Sequence, residues 1–326
     1  MIDLGTYTKP LAYLGLFTLA KTVFSITRQA TNFLLPSTLL KRYNPTQTNW
    51  ALVTGATDGI GFGFAQELCA RGFNVIIHGR NSEKLERRRR ELEALFPAVY
   101  VAVLVRDAQN LTADIDDVDA EVRDIIRSSN QIAGSKGEGG RLTVLINNVG
   151  GETKPATLLR DYTFEDVQAT ISRNAAFATH ITRVLGKQLE ENAPGLVMNI
   201  SSVSAIGLPY ITTYSSTKGF VDTFTKSLRA EFASEGKEVE VMGLRVGEVS
   251  TPGYDVKTNL FVPVPRVLAA AALNRVGCGQ DIVWPFFWHW LQGLSFEYLP
   301  HWVLIKFAAM KLRAIRAHLD AKAKSS

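Results

Sequence analysis

Tyr214 and Lys218 are the residues whose types and spacing point most directly to chemistry. They stand four positions apart at the start of a predicted helix, a spacing that places both side chains on one face. An ammonium near a phenol stabilises the phenolate and lowers the tyrosine pKa, which favours proton transfer to a ketone oxygen near neutral pH. A predicted strand, Leu196–Ile200, precedes the pair and leads into Ser201 and Ser202, whose hydroxyls could bond the same oxygen. The sequence therefore predicts a site of proton transfer to a carbonyl group.

A glycine-containing segment between the first predicted strand and the first predicted helix is typical of a dinucleotide-binding loop. Glycines allow a tight turn and a close approach of the backbone to a pyrophosphate, and the N-terminus of the following helix supplies partial positive charge. A purely structural turn is the alternative, but the strand–loop–helix context favours a nucleotide. The segment is Thr54-Gly55-Ala56-Thr57-Asp58-Gly59-Ile60-Gly61.

The end of the second predicted strand bears on the choice between NAD(H) and NADP(H). It reads His78-Gly79-Arg80 and offers no acidic side chain for a ribose 2′-hydroxyl. Arg80 can instead pair with a 2′-phosphate, so the sequence predicts NADP(H), with a solvated turn arginine as the alternative. Asp107, just past the third strand, either accepts a hydrogen bond from the adenine amine or caps the following turn.

Short β-rich runs alternate with helical stretches from Trp50 onwards, and the runs are apolar almost throughout. Such alternation indicates a parallel sheet that is buried on both faces. The sequence predicts an α/β fold, a Rossmann-type doubly wound parallel sheet with helices on both faces, plus a hydrophobic N-terminal segment and an aromatic, basic helical C-terminal extension. The predicted strands are Ala51–Thr54, Val75–His78, Val99–Val105, Leu142–Ile146, Leu196–Ile200 and Val239–Leu244, and the predicted helices include Phe62–Arg71, Ser82–Leu95 and Phe164–Glu191.

The net charge of +5 on the 326 residues is concentrated at the two ends of the chain. Residues 1–49 hold five Lys or Arg against one Asp, and residues 301–326 hold six against one, which leaves the middle mildly acidic. A nucleic-acid partner is disfavoured because the predicted folded domain is not basic. Basic ends beside apolar residues favour contact with a membrane surface. The apolar run Leu11–Thr27 is just long enough to form a membrane-spanning helix. The two cysteines exclude a disulfide scaffold, and the scattered histidines predict no metal site.

Together these motifs resemble the short-chain dehydrogenase/reductase family over about residues 50–255. Asn147-Asn148-Val149-Gly150 follows the fourth strand, and Asn174 lies where the family has its structural and catalytic asparagine. The resemblance implies that Tyr214 is the general acid/base and that Lys218 lowers its pKa and binds the nicotinamide ribose. A serine would orient the carbonyl, and Asn174 would hold a water in a proton relay. The implied cofactor-binding residues are Thr54, Gly55, Thr57, Asp58, Gly59, Ile60, Gly61, Arg80, Asp107, Asn147, Tyr214, Lys218, Val249 and Thr251.

The chain departs from the family pattern at two points. The family's serine usually stands at a fixed separation before the tyrosine, and here that position is Ser201. It is also usually the second serine of the pair, which here is Ser202. We favour Ser202 as the catalytic serine. The family's Pro-Gly after the sixth strand is replaced by Val246-Gly247, which predicts a looser loop. Val249 and Thr251 still match positions that contact the nicotinamide amide.

A narrower resemblance extends over nearly the whole chain. The apolar N-terminal segment and a tail with Gly277, His289, Leu299-Pro300-x-Trp302 and a basic last helix are similar to one branch of the family. That branch holds the membrane-bound 17-beta-hydroxysteroid dehydrogenases and very-long-chain 3-oxoacyl-CoA reductases of the endoplasmic reticulum. It implies reduction of a ketone on a lipophilic 3-oxoacyl-CoA or steroid-like substrate, on that membrane, with the catalytic domain in the cytosol. Lys322 and Lys324 are similar to a lysine-based retrieval signal.

The predicted organisation has three parts. Residues 1–49 form a hydrophobic membrane-associating segment, residues 50–255 an NADP-binding domain, and residues 256–326 a helical extension on the substrate and membrane side. A homodimer is compatible with the sequence. Two other functions stay open, a reductase of another hydrophobic biosynthetic intermediate and a nucleotide-binding membrane scaffold without turnover. The run Arg87–Arg90, surrounded by glutamates, is interpreted as a solvated helix face.

Overall fold

A computed structural model describes residues 4–132, 139–154 and 156–325. In this part of the chain one sheet contains seven strands: β1 Trp50–Val53, β2 Asn74–Gly79, β3 Val101–Val105, β4 Leu142–Asn147, β5 Gly195–Ser202, β6 Val239–Val246 and β7 Ile282–Val283. All neighbouring strands are parallel, in the order β3-β2-β1-β4-β5-β6-β7. The order reverses between β1 and β4, and ligands of such sheets bind in the crevice at this reversal.

Helices cover both faces of the sheet. The described helices are α1 Leu4–Thr31, α2 Leu39–Tyr43, α3 Gly59–Ala70, α4 Ser82–Leu95, α5 Val118–Ile132, α6 Phe164–Ile171, α7 Phe177–Glu191, α8 Thr212–Ser234, α9 Pro265–Leu273, α10 Phe287–Tyr298 and α11 His301–Ser325. Side chains of α2, α3, α4 and α9 share one buried cluster with the sheet, and those of α5, α7 and α8 share a second. The doubly wound α/β architecture that the sequence predicts is therefore confirmed.

Strand residues alternate between the two buried clusters. Val53 and Val75 belong to one cluster, whereas Leu52 and Ile76 belong to the other, because successive side chains point to opposite faces of the sheet. Burial on both faces explains why the predicted strands are continuous apolar runs. The six predicted strands all lie in the sheet with slightly different ends. The two residues of β7 are too few to produce a recognisable pattern.

The long helix predicted over Phe164–Glu191 is interrupted. A π-helical turn, Ser172–Ala176, separates α6 from α7. Single π turns inside helices occur frequently at functional sites, and this one contains Asn174. The helical prediction over this range is confirmed, but the π turn was not predicted because it leaves the apolar periodicity on both sides intact.

The N-terminal 49 residues consist of two structurally different parts. Within the described residues one helix, Thr8–Thr31, is long and apolar enough to cross a membrane, and its span is not buried in the protein. Leu39 and Tyr43 of α2 are instead completely buried against the sheet domain, and the Tyr43 hydroxyl donates a hydrogen bond to Glu240, 2.7 Å away. Residues from about 39 onwards therefore pack with the sheet rather than with the exposed helix.

The C-terminal extension also packs directly on the sheet domain. Gly63 of α3 lies under the first turn of α9, where a β-carbon would come within 2.7 Å of the Pro265 carbonyl carbon. Trp290 of α10 donates an indole hydrogen bond to Gln29 at the end of α1, 2.9 Å away. The two terminal parts of the chain are thus in contact on one side of the molecule.

Candidate active site

The Tyr214–Lys218 pair lies on the first turns of α8, beside the carboxyl end of β5. Lys218 is only 4% exposed, and its Nζ donates a 2.7 Å hydrogen bond to the carbonyl oxygen of Ile200. The same Nζ lies 5.6 Å from the centre of the Tyr214 ring. Spacing by four residues on the helix therefore brings phenol and ammonium together as predicted.

The geometry distinguishes the two candidate serines. The Ser202 hydroxyl oxygen accepts hydrogen bonds from the backbone N–H and the hydroxyl of Ser204, at 3.1 and 3.0 Å. Its own proton is therefore free for another acceptor, and the side chain is hydrogen-bonded to Tyr214. Ser201 is buried on the other side of the strand and points to the backbone oxygen of Lys218, 3.4 Å away. The structure thus brings Ser202, rather than Ser201, to the tyrosine.

Ser204 is a site residue that the sequence analysis missed. It is 2% exposed, and both of its donors are directed at Ser202. A serine two positions after another is typical of a local side-chain-to-backbone turn, which was the available signal.

The surroundings of Tyr214 do not give it the lowered pKa that the sequence predicts. Burial raises the pKa of Tyr214 above its ordinary value, and the charge of Glu152 acts in the same direction. The hydrogen bond with Ser202 and the charge of Arg173 both lower the pKa and partly offset these effects. Arg173 and Glu152 were not selected from the sequence, since nothing in their spacing relates them to the tyrosine.

Asn174 is held rigidly by the loop after β4. Its Oδ1 accepts a 2.7 Å hydrogen bond from the N–H of Gly151, and its Nδ2 donates a 2.9 Å bond to the oxygen of the same residue. A β-carbon on Gly150 would lie 2.9 Å from Asn174 Oδ1 and 3.1 Å from Lys218 Nζ. Asn174 and Lys218 therefore approach Gly150 together, and a glycine leaves space between them.

The glycine loop has the backbone of a phosphate cradle. Gly55 and Gly59 adopt φ values of +64° and +55°, which residues with a β-carbon rarely adopt. A β-carbon on Gly61 would come within 2.2 Å of the oxygen of Gly55. The Asp58 side chain accepts no hydrogen bond from the first turn of α3, which begins at Gly59. The open backbone and the helix N-terminus fit the pyrophosphate of a dinucleotide.

One arginine of the Arg87–Arg90 run supports this loop. The Arg88 Nη2 lies 2.8 Å from Asp58 Oδ1, and its Nε donates a 3.0 Å hydrogen bond to the carbonyl oxygen of Thr57. Lys84 pairs with the same aspartate. The interpretation as a solvated face therefore applies to the exposed Arg87 and Arg90, whereas Arg88 fixes the loop.

Two asparagines at the end of β4 have different surroundings. Asn147 Nδ2 donates to Thr182 and Asn199, both at 2.8 Å, so its side chain points into the interior and away from the glycine loop. Asn148 Nδ2 instead donates to the backbone oxygen of Thr54 at 3.0 Å, and the Thr54 hydroxyl accepts from the Asn148 N–H at 2.9 Å. The side chain that joins the two loops is therefore Asn148.

The remaining predicted cofactor residues lie around the same crevice. Arg80 is exposed and donates a 2.7 Å hydrogen bond to Gln109. Asp107 accepts a 2.9 Å hydrogen bond from the Gln109 N–H, so it caps the turn, one of its two predicted roles. Thr251 faces the glycine loop, since a β-carbon on Gly59 would lie 3.3 Å from its methyl group. Ile60 and Val249 pack against the core.

The helix α11 contacts three loops at the carboxyl end of the sheet. The loops follow β4, β5 and β6. The three contacts join Asp161 to Arg316, Tyr210 to Arg313 and Glu248 to Lys311. The Arg313 Nε donates to the Tyr210 hydroxyl oxygen at 2.6 Å. A segment outside the sheet thus joins these three loops.

A parallel sheet with a glycine cradle after β1 and a serine–tyrosine–lysine group at the end of β5 defines a nucleotide-dependent oxidoreductase. The chain belongs to the short chain dehydrogenase family, whose sequence profile matches residues 49–259. A relative from Danio rerio named very-long-chain 3-oxoacyl-CoA reductase-A is 32% identical over 254 residues, which are 77% of this chain and 73% of the relative.

Solved structures share the fold at lower identity. A 7beta-hydroxysteroid dehydrogenase superimposes with a TM-score of 0.65 at 18% identity, over 84% of this chain and 98% of its own. A short-chain dehydrogenase from Sphingobium yanoikuyae, solved in complex with NADPH, superimposes with a TM-score of 0.59 at 22% identity, over 78% of this chain and 97% of its own. These likenesses establish the architecture.

Replacing each serine by alanine tests the distinction between them. We expect Ser202→Ala to lower kcat for ketone reduction by about 100-fold or more, because a donor to the reacting oxygen is lost. Ser201→Ala, the matched control, should cost less than about tenfold because its hydroxyl bonds only a backbone oxygen. Steady-state oxidation of the reduced nucleotide measures both. Equal losses in the two variants, or a larger loss at Ser201, would contradict the assignment.

Proposed function

We propose that the chain is an NADP(H)-dependent reductase that converts a ketone on a lipophilic substrate, a 3-oxoacyl-CoA, to a secondary alcohol. The observation that carries this proposal is the placement of Ser202, Tyr214, Lys218 and Asn174 around one point at the carboxyl end of the sheet, next to the glycine cradle. A nucleotide-binding scaffold without turnover would need none of these polar side chains.

The proposed roles follow from the contacts of each side chain. Bound NADPH would supply a hydride to the carbonyl carbon. Ser202 donates a hydrogen bond to the ketone oxygen and orients it, and Tyr214, kept protonated by burial, transfers the one proton that completes the alcohol. Lys218 holds the nicotinamide ribose, and Asn174 positions the water that resupplies the proton. Fixed geometry supplies much of the rate enhancement.

Arg80 supports the preference for NADP(H). It is exposed at the end of β2, where a 2′-phosphate would lie, and the strand end carries no carboxylate to bond a ribose 2′-hydroxyl. Lys84 and Arg88 add positive charge beside the glycine loop, although both are paired with Asp58. The structural relative solved with NADPH agrees with this choice.

The substrate class comes from the relatives and from the surface of the extension. The relative from Danio rerio is named for a very-long-chain 3-oxoacyl-CoA, a substrate with a long apolar chain. Apolar side chains such as Phe261 in the loop before α9, Phe287 in α10 and Trp302 in α11 are at least 40% exposed. A steroid ketone or another hydrophobic biosynthetic intermediate would use the same chemistry and is the second candidate.

Membrane attachment through α1 is part of the same proposal. Leu14, Phe17 and Phe24 are all more than 60% exposed on a helix that meets the length and hydropathy of a membrane span. We assign the protein to the endoplasmic reticulum, as the family branch that it resembles implies, with residues 50–255 catalytic in the cytosol and residues 256–326 beside the membrane. Residues 39–49 are assigned to the catalytic domain because α2 is buried there. The side chains of Lys322 and Lys324 lie outside the described part of the chain.

Turnover of a defined ketone tests the proposed reaction. We expect the purified full chain to oxidise NADPH faster than NADH with a long-chain 3-oxoacyl-CoA, and to form the 3-hydroxyacyl-CoA. Tyr214→Phe should lower kcat by at least about 100-fold because the proton donor is removed, while NADPH still binds. Faster turnover of a steroid ketone than of the 3-oxoacyl-CoA would show that the substrate is steroid-like. NADPH binding without turnover of any ketone would favour the scaffold.

Arg80→Ala tests the nucleotide preference. Loss of a charged hydrogen bond to the 2′-phosphate should raise KM for NADPH about 10- to 100-fold and leave KM for NADH almost unchanged. Arg87→Ala is the matched control, since it removes an exposed arginine from the neighbouring helix. An equal change in both variants, or no change for Arg80→Ala, would show that the 2′-phosphate lies elsewhere.

Deleting residues 1–31 tests the membrane attachment without removing the buried α2. The full chain should remain with membranes after an alkaline wash, whereas the shortened chain should be released and still bind NADPH. The expected difference arises from the exposed apolar surface of α1. A full chain that is released, or a shortened chain that stays with the membranes, would mean that α1 does not anchor the protein.

A further inference from the structure

The loop after β6 lacks the residue that would make it stiff. β6 ends at Val246, and Val246-Gly247 stand where the family that the chain resembles has Pro-Gly. Proline restricts φ and limits the freedom of a loop, so its loss predicts a mobile segment. The loop nevertheless carries Val249 and Thr251 to the crevice, so something else must hold it.

His289 of α10 makes polar contacts with this loop and with the segment before α9. The imidazole is completely buried, and its Nδ1 accepts a 3.1 Å hydrogen bond from the Gly247 N–H. Its Nε2 lies 3.1 Å from the backbone carbonyl oxygens of both Glu248 and Phe261. Carbonyl oxygens can only accept, so the proton is on Nε2 and the lone pair on Nδ1. One neutral tautomer satisfies all three contacts.

The ring also restricts the loop sterically. A β-carbon on Gly247 would come within 2.8 Å of His289 Cδ2. The ring is itself fixed by the edge of Phe286, whose centre lies 5.2 Å away. A second segment is joined to the loop here, because the Ser250 N–H donates a 3.1 Å hydrogen bond to the oxygen of Pro263.

We propose that His289 is a positioning residue that holds the Gly247–Thr251 loop against the nicotinamide end of the cofactor, in place of the missing proline. Through Phe261 the same imidazole also ties down the segment that precedes α9. The cofactor contact of this loop rests on the proposed function, whereas the hydrogen bonds of His289 do not. The C-terminal extension thereby contributes to cofactor binding through the loop.

Two substitutions at His289 separate positioning from simple stability. In the full-length enzyme, His289→Leu removes all three hydrogen bonds and should raise KM for NADPH roughly tenfold. His289→Asn places an amide oxygen near the position of Nδ1, keeps the Gly247 contact and should restore much of the affinity. A purely structural role would lower the melting temperature of both variants and leave KM for NADPH of the folded protein unchanged.

A double substitution tests the contact itself. Gly247→Ala should raise KM for NADPH in the presence of His289, because the added methyl group meets the imidazole ring. In a His289→Ala background the same change should have little effect, because the ring is gone. An equal penalty in both backgrounds would overturn the proposal, even if His289→Leu did not fold.

Hydrogen exchange at the Gly247 amide tests the role of His289 independently of the reaction that the enzyme catalyses. The Gly247 amide should be protected in the wild type and exchange at least tenfold faster in His289→Leu, whatever ketone the enzyme reduces. Protection that is unchanged would refute the role of His289 and leave the proposed function intact. If His289→Leu loses this protection while the wild-type protein reduces no ketone, the proposed function is refuted and the role of His289 in holding the loop stands.

Discussion

The hydrogen bond from Lys218 to the carbonyl oxygen of Ile200 joins the two elements on which the active site depends. It ties the first turns of α8 to the end of β5, so that Tyr214 and Ser202 meet. Burying an ammonium costs free energy, and burial lowers the pKa of Lys218 from its ordinary 10.5 to about 8. The folded chain therefore holds this proton less tightly than the unfolded chain. Below about pH 8 the buried charge opposes folding, and the cost disappears as the pH rises from about 8 to 10.5.

The rest of the site is arranged around this costly contact. Asn174 is placed by a π turn and by Gly151, and it reaches the neighbourhood of Lys218 because Gly150 has no side chain. The glycine cradle is fastened from two directions, by Asn148 from β4 and by Arg88 from α4. Each functional group is held by a partner from a different element, which is how a rigid crevice forms from flexible loops.

The sequence predicts the parts of the fold that depend on local patterns. Apolar runs located six strands, glycine spacing located the cradle, and a spacing of four located the tyrosine and lysine. The same reasoning missed groups that act through distant contacts. Arg88 was hidden in a run of like residues, and the inward orientation of Asn147 depends on Thr182 and Asn199, which lie far along the chain.

Two further features were inaccessible for physical reasons. The π turn at Ser172–Ala176 does not disturb the apolar pattern of the helices around it. The role of His289 depends on a docking of α10 that no local propensity encodes, although the missing proline at Val246-Gly247 indicated that the loop needed support. Both features depend on long-range packing. A single sequence shows which residues are present but not which of them come into contact.

The contacts of α11 with the loops at the carboxyl end of the sheet are sensitive to ionic strength. Two of the three loops that it touches are attached by ion pairs, Lys311 with Glu248 and Arg316 with Asp161, all of them partly open to solvent. Dissolved ions screen such pairs over about 10 Å at 0.1 M salt. Salt would therefore weaken the attachment of α11 to these loops and leave the buried lysine and its carbonyl partner unaffected. Counter-ions or anionic lipid headgroups beside this helix would compete for the same cations.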